Sequence, residues 1–228
     1  MDIAIPLFDR FTALDAIGPY EVLSRIPGVE LRFVAREPGV KRTDTGALGM
    51  EADLALGDLP DPDVLLVPGG QGNRPLLEDD EVLDWLRAVH EGTTWTTSVC
   101  TGSLVLGAAG LLKGYRAATH WTAMDSLSSF GAIPTKTRVC TDRNRVTGGG
   151  VTAGIDFALT LVSMLVDRPT AEAIQLRLEY NPAPPFNSGS PDTAAPETLT
   201  RFNERSAPFK ARRQEAVARA AARLSESA

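Results

Sequence analysis

Cysteine and histidine are scarce, with two of each in 228 residues. Neither pair has the close spacing that a zinc site draws its ligands from, so no metal is expected. The start of the chain, Met1 to Phe8, lacks the basic segment, apolar stretch and small-residue cleavage site of a secretory leader. A cytoplasmic protein is therefore expected, with Cys100 and Cys140 as free thiols in a reducing compartment. No apolar run approaches the roughly 20 residues that a membrane helix needs. Positive charge is not in excess either: the formal net charge is −6, whereas nucleic-acid binders carry a basic footprint. There is no internal repeat and no low-complexity tract. Small-molecule chemistry or protein contacts remain.

What is present is an alternation. Short apolar runs at Ile3 to Phe8, Leu31 to Ala35, Val64 to Val67 and Trp95 to Val99 are separated by helical patterns, among them Pro19 to Ile26 and Asp80 to His90. This order predicts βαβ units and an α/β doubly wound fold, a mostly parallel sheet with helices on both faces. Residues 39–51 break the alternation and read as a pair of short strands. Thr137 to Thr141 and Arg145 to Thr147 flank a turn at Asp142-Arg143-Asn144. A helix over Thr152 to Val166, apolar on nearly all sides, is expected to be buried. A second helix covers about Thr170 to Tyr180, and a proline-rich loop covers Asn181 to Pro196. The stretch from about Glu197 to Leu224 reads as a long surface helix that covers the body or a partner subunit. Residues 1–195 are expected to form the α/β domain, and residues 196–228 a helical extension packed on it or on a second copy.

In open α/β sheets the site lies beyond the carboxyl ends of the strands. Three segments fall there. Pro68-Gly69-Gly70 follows one strand, and its glycines allow close backbone approach or make a simple tight turn. Cys100 follows another, with Thr101-Gly102-Ser103 opening a helix. This is the outline of a nucleophile elbow, in which the helix terminus lowers a thiol's pKa, yet free cysteine is equally a small core filler. Asp15 follows the first strand, and Pro19 suits a first helical turn, which places Asp15 just before the helix as a cap, or as general base and acid for the thiol. His120 is a structural residue or a spatial partner for Cys100. His90 is assigned to the solvated face of its helix, and Cys140 to packing within a strand.

Taken in order, VLLVPGG at 64–70, TSVCTGSLVLGAAGLLKG at 97–114, ATHW at 118–121 and GGGVTAGIDFAL at 148–159 resemble the ThiJ/PfpI superfamily, a glutamine-amidotransferase-like group with a cysteine elbow. The resemblance implies a flavodoxin-like sandwich with a cysteine nucleophile elbow. In that superfamily an acidic residue four positions before a proline of the first helix contacts the cysteine, which here is Asp15 before Pro19. Aspartate rather than glutamate there, together with LEYNPAPPFNSGSPDTA at 178–194, is similar to the branch that hydrates isocyanides. The resemblance implies a lyase that adds water to a small-molecule isocyanide, gives an N-substituted formamide and needs no cofactor. Cys100 would form a thioimidate and Asp15 would shuttle the proton. Backbone N–H groups of Gly70 and Thr101 would serve as donors, with the Thr101 hydroxyl orienting Asp15. His120 matches the superfamily's histidine position as a possible further participant. A homodimer is implied as well.

Two other readings stand beside this one. A cofactor-independent glyoxalase or deglycase on small aldehydes would use the same cysteine, but Asp15 in place of glutamate counts against it. A stand-alone cysteine-based sensor related to AraC-type regulators is the other. A DNA-binding version would require about 100 further residues.

Overall fold

The apolar runs pair into one seven-stranded sheet in the computed structural model, which describes residues 1–59 and 61–226. The strands are β1 (Asp2–Pro6), β2 (Glu30–Ala35), β3 (Gly39–Arg42), β4 (Gly49–Ala52), β5 (Leu54–Ala55), β6 (Val64–Val67), β7 (Trp95–Val99), β8 (Arg116–Ala117), β9 (Ile133–Pro134), β10 (Val139–Asp142) and β11 (Arg145–Gly148). The α-helices are α1 (Ala13–Leu23), α2 (Asn73–Leu76), α3 (Asp80–Gly92), α4 (Gly102–Ala108), α5 (Ala153–Leu165), α6 (Arg168–Arg177) and α7 (Pro196–Glu226). The sheet order is β10-β11-β7-β6-β1-β2-β5, parallel throughout except for the β10–β11 hairpin. β3 with β4, and β8 with β9, form two small separate sheets.

Strand periodicity sorts the core into two layers. Ile3, Ile5, Val64 and Leu66 face Phe157, Leu161 and the rest of the α1/α5 side. Ala4, Leu65 and Val67 face Leu86, Leu104, Phe130 and Val217 on the other. Parallel strands covered on both faces bury all their side chains, which is why β6 is an unbroken apolar run.

Three expectations are corrected. Pro19 does not begin the first helix but lies inside α1, so Asp15 sits in the first turn rather than before it. An interior proline forfeits one helix hydrogen bond. Here its ring packs where Gly154 of α5 has no side chain, a Cβ there falling 3.2 Å from Pro19 Cδ. The helix expected to be buried all round, α5, buries one face through Ala153, Phe157, Ala158, Leu161 and Val162, and leaves Ile155, Leu159 and Met164 half-covered. The sheet and the neighbouring α1 and α6 enclose only that much of its circumference. His90 is not on a solvated face. Its Nδ1 lies 2.7 Å from Thr96 Oγ1, and its Nε2 lies 3.1 Å from a guanidinium nitrogen of Arg145. Arg145 is 3% exposed, makes no salt bridge with any described carboxylate and needs acceptors, which Leu111 O, Asn144 Oδ1 and His90 supply. Cys140 is buried in β10.

α7 lies over α4 and the 3-10 segment Trp121–Phe130 of the same chain. Arg213, Ala216, Val217 and Ala220 form its buried stripe, at helical spacing.

Candidate active site

The carboxyl ends of β1, β6 and β7 meet where the strand order reverses direction, and there the chain brings Asp15, Gly69-Gly70 and Cys100 together. Cys100 occupies the turn between β7 and α4 with a φ of 56°, a left-handed conformation that costs a non-glycine residue about 1–3 kcal/mol. Four hydrogen bonds hold it there. Its N–H donates to Gly148 O at 3.1 Å and Gly149 O at 2.9 Å, and its carbonyl accepts from Ser103 Oγ at 3.1 Å and Thr119 Oγ1 at 2.9 Å. The thiol is directed into a nearly closed space, with the residue 5% exposed. Backbone N–H groups of Thr101 and Val151 are directed at the sulfur.

The Asp15 carboxyl faces that thiol from the start of α1. It is fully buried, and Oδ2 accepts from Gly69 N–H at 3.0 Å. Among the described residues Oδ1 has no nitrogen or oxygen partner, and the Cys100 thiol is the carboxyl's only other hydrogen-bonding neighbour. Burial pushes the Asp15 pKa from 3.8 up to about 7, against the lowering effect of Gly69 N–H and the thiol. Burial, and next the Asp15 charge, also push the Cys100 thiol well above its ordinary range. The helix-terminus lowering expected for Cys100 is therefore outweighed. Both shifts favour the protonated thiol, with a carboxyl already in contact with it.

The glycines of Pro68-Gly69-Gly70 are needed for space. A Cβ on Gly69 would lie 2.6 Å from Thr101 N and 2.8 Å from both Asp15 Oδ2 and Thr101 Oγ1. Gly70 has a φ of 138°, and a Cβ there would lie 2.5 Å from Thr12 N. The Thr101 hydroxyl accepts from Gly70 N–H at 3.1 Å and makes no hydrogen bond with Asp15. Gly69 N–H orients the carboxyl instead, and Gly70 N–H is engaged by Thr101. Asn73 Nδ2, buried, donates to Thr101 O at 2.7 Å and pins the elbow from below.

His120 is half-buried beside this arrangement. Its Nδ1 lies 2.8 Å from Thr122 Oγ1 and accepts from Thr122 N–H at 3.3 Å. Burial, then the charges of Arg213 and Lys210, push its pKa down to about 4, so the ring is neutral at physiological pH. The ring lines a cavity of about 480 Å³ together with Trp121, Met124, Gly150, Val151 and the loop at Gly189 to Asp192. A separate cavity of about 310 Å³, lined by Leu7, Val67, Leu86 and Val105, contains no thiol or hydroxyl. Among the described residues no cluster of three or more His, Cys, Asp or Glu is placed to hold a metal ion.

Sequence reasoning missed Val151, Thr119, Ser103 and Asn73. The triple glycine before Val151 was the one available signal, since it marks backbone able to approach the sulfur closely.

Residues 1–164 match the DJ-1/PfpI family. The chain belongs to the DJ-1/PfpI family. Within it, the chain is 49% identical over 224 residues, 98% of each chain, to a protein named isonitrile hydratase from Pseudomonas putida. It is 30% identical over 185 residues to an HTH-type transcriptional regulator, GbdR, of Pseudomonas aeruginosa, a match that takes in 78% of this chain and 50% of the regulator. A solved THiJ/PfpI family protein from Pseudomonas syringae superposes with a TM-score of 0.92 at 41% identity, over 95% of this chain and 90% of that one. The DJ-1 of Toxoplasma gondii shares the fold, with a TM-score of 0.70 at 24% identity over 79% of this chain and 99% of its own.

Proposed function

We propose that this DJ-1/PfpI protein is an isonitrile hydratase, a lyase that adds water to an isocyanide R–NC to give the formamide R–NH–CHO. The observation that carries the reading is the buried Asp15 carboxyl against the Cys100 thiol, in a chain alike over almost its whole length to the Pseudomonas putida hydratase.

Cys100 is the nucleophile and Asp15 the proton shuttle. Sulfur bonds to the terminal carbon of the isocyanide as Asp15 takes the thiol proton and passes it to that same carbon, giving the thioimidate R–N=CH–S–Cys100. Water then adds to this carbon, deprotonated by Asp15, and the C–S bond breaks as the nitrogen gains a proton. The products are the formamide and the free thiol, so R–NC and H2O account for every atom. A thiol pushed up by burial does not ionise in advance, and a carboxyl with a pKa near 7 can both accept and return a proton at neutral pH. The N–H groups of Thr101 and Val151 stabilise the sulfur as its negative charge develops. The reaction needs no cofactor.

We further infer a cytoplasmic homodimer. No described helix is long and apolar enough to cross a membrane, and Leu176 and Phe186 expose 82% and 78% of their surface, apolar area that a second copy would cover. Sedimentation of the purified chain tests the oligomeric state.

The activity test mixes the protein with an aryl isocyanide and follows formamide by absorbance, with methylglyoxal as a parallel substrate. Formamide formation is expected, abolished by Cys100→Ala. Turnover of methylglyoxal with none of any isocyanide would replace the hydratase reading with that of a glyoxalase.

A further inference from the structure

α7 delivers one buried charged side chain to the neighbourhood of the site. Arg213 is 3% exposed and forms no salt bridge with any described carboxylate. Its guanidinium donates to the Thr122 carbonyl through Nη2 and to Thr122 Oγ1 through Nη1 at 3.3 Å. Because the guanidinium has no acceptor, the Thr122 hydroxyl receives from it and is left to donate its own proton. The atom within reach is His120 Nδ1, 2.8 Å away, which also faces the Thr122 N–H at 3.3 Å. Two donors converge on Nδ1, so that nitrogen holds the lone pair and the ring proton belongs on Nε2. Nε2 has no hydrogen-bond partner among the described residues. Its edge of the ring faces Gly150, Cδ2 lying 3.3 Å and Nε2 3.8 Å from where a Gly150 Cβ would stand, at the wall of the cavity next to Val151.

We propose that Arg213 is a positioning residue that acts through Thr122 to fix His120 as a neutral Nε2–H donor aimed into the cavity walled by Gly149, Gly150 and Val151, the segment that also bonds Cys100. This rests on the hydratase reading for its use: the group that gains electron density in the cavity is the thioimidate nitrogen as water adds. His120 is then a fixed donor rather than the base, a division of labour that leaves proton abstraction to Asp15. The packing supports it, since Phe202 stacks on Trp121 with centroids 5.1 Å apart and Lys210 lies 5.1 Å from the Trp121 ring, so α7 grips Trp121 as well as Thr122. The charged groups around the imidazole are Arg213 and Lys210 from α7, with Lys136, Arg138 and Asp192 on the cavity wall. Burial first, and then the two cations of α7, hold the ring neutral.

The test is long-range 1H–15N NMR of the uniformly labelled full chain, whose two histidines are told apart with His120→Gln. The expected result is a single Nε2–H tautomer for His120 that stays neutral at pH 6 and above. Arg213→Met should mix the tautomers and move the titration up toward the ordinary imidazole value. It should also lower kcat on an isocyanide about 10-fold with KM nearly unchanged, and Arg213→Lys should restore part of both. Thr122→Val, which leaves α7 intact, should mix the tautomers in part and serves where Arg213→Met does not fold. A wild-type Nδ1–H tautomer, or an unchanged His120 spectrum in a folded Arg213→Met or Thr122→Val variant, would overturn the proposal. The tautomer is read without substrate. A chain that turns over no isocyanide yet keeps the Nε2–H form would sink the hydratase reading and leave the relay standing.

Discussion

Asp15→Asn should abolish turnover and at the same time stabilise the protein, increasingly so as pH rises. Asp15 has a native pKa of about 7 against 3.8 for the free side chain, because burial disfavours its charge. A folded pKa above the unfolded one means that the native state holds the proton longer. The group's contribution is therefore fully present below about pH 4 and is lost as pH rises through about 7. Linkage over these values puts the native state's handicap at about 2 kcal/mol at pH 5 and about 4 kcal/mol at pH 8.5. Asparagine carries no charge at any of these pH values, and its carbonyl can still accept from Gly69 N–H. Against this, its amide meets only the thiol, an imperfect acceptor, at a cost of about 1 kcal/mol at every pH. The stability difference between variant and wild type should consequently grow by about 2–3 kcal/mol between pH 5 and pH 8.5, or roughly 5–10 °C in Tm for a chain of this size. Urea denaturation at both pH values measures it. A difference that stays constant, or that shrinks with pH, would refute the claim that the ionised carboxylate is a burden to the folded state.

On the proposed mechanism the same titration governs catalysis, so kcat/KM for an isocyanide should fall as pH drops below about 7, where Asp15 is protonated and cannot accept the thiol proton; a profile flat from pH 5.5 to 8 would contradict this role. Gly69→Ala places a methyl within 2.8 Å of Thr101 N and Asp15 Oδ2 and should lower kcat by about 100-fold, with far-UV circular dichroism unchanged. His90 is held below its ordinary pKa first by burial and next by the Arg145 charge. Its contribution is thus present above the unfolded value and lost as pH falls through the folded one. Wild type should lose more melting temperature between pH 7 and pH 5 than His90→Gln, and equal losses would remove His90 from the account of acid sensitivity.

Most of the framework was legible because a parallel sheet covered on both sides writes itself as short, fully apolar runs, and Val64 to Val67 could be read as a strand with its end at Pro68. The elbow was legible for the same reason: Cys100 closes one such run and small residues open a helix. The parts that were not legible have no side-chain signature. The donors on the sulfur are backbone N–H groups, and Thr119 and Ser103 are hydroxyls among many. Pro19 misdirected the start of α1, since a proline tolerated inside a helix by virtue of a facing glycine 135 residues away leaves no local trace. The direction of the Cys100 shift depended on how completely the fold closes over it, which no local pattern states. Arg213 reads as one more arginine of a charged helix until its neighbours are known.

The contacts around Cys100 and those around His120 differ in how far along the chain they reach. Ser103 secures the cysteine from three residues away, and Thr119 from nineteen. Arg213 reaches Thr122 across 91. Short closures form early and long ones late. The turn of Cys100 also needs Gly148 O and Gly149 O, 48 and 49 residues on, so it is complete once β11 has joined β7, whereas the histidine acquires its last partner only when α7 docks, and the two halves of the site mature on different schedules.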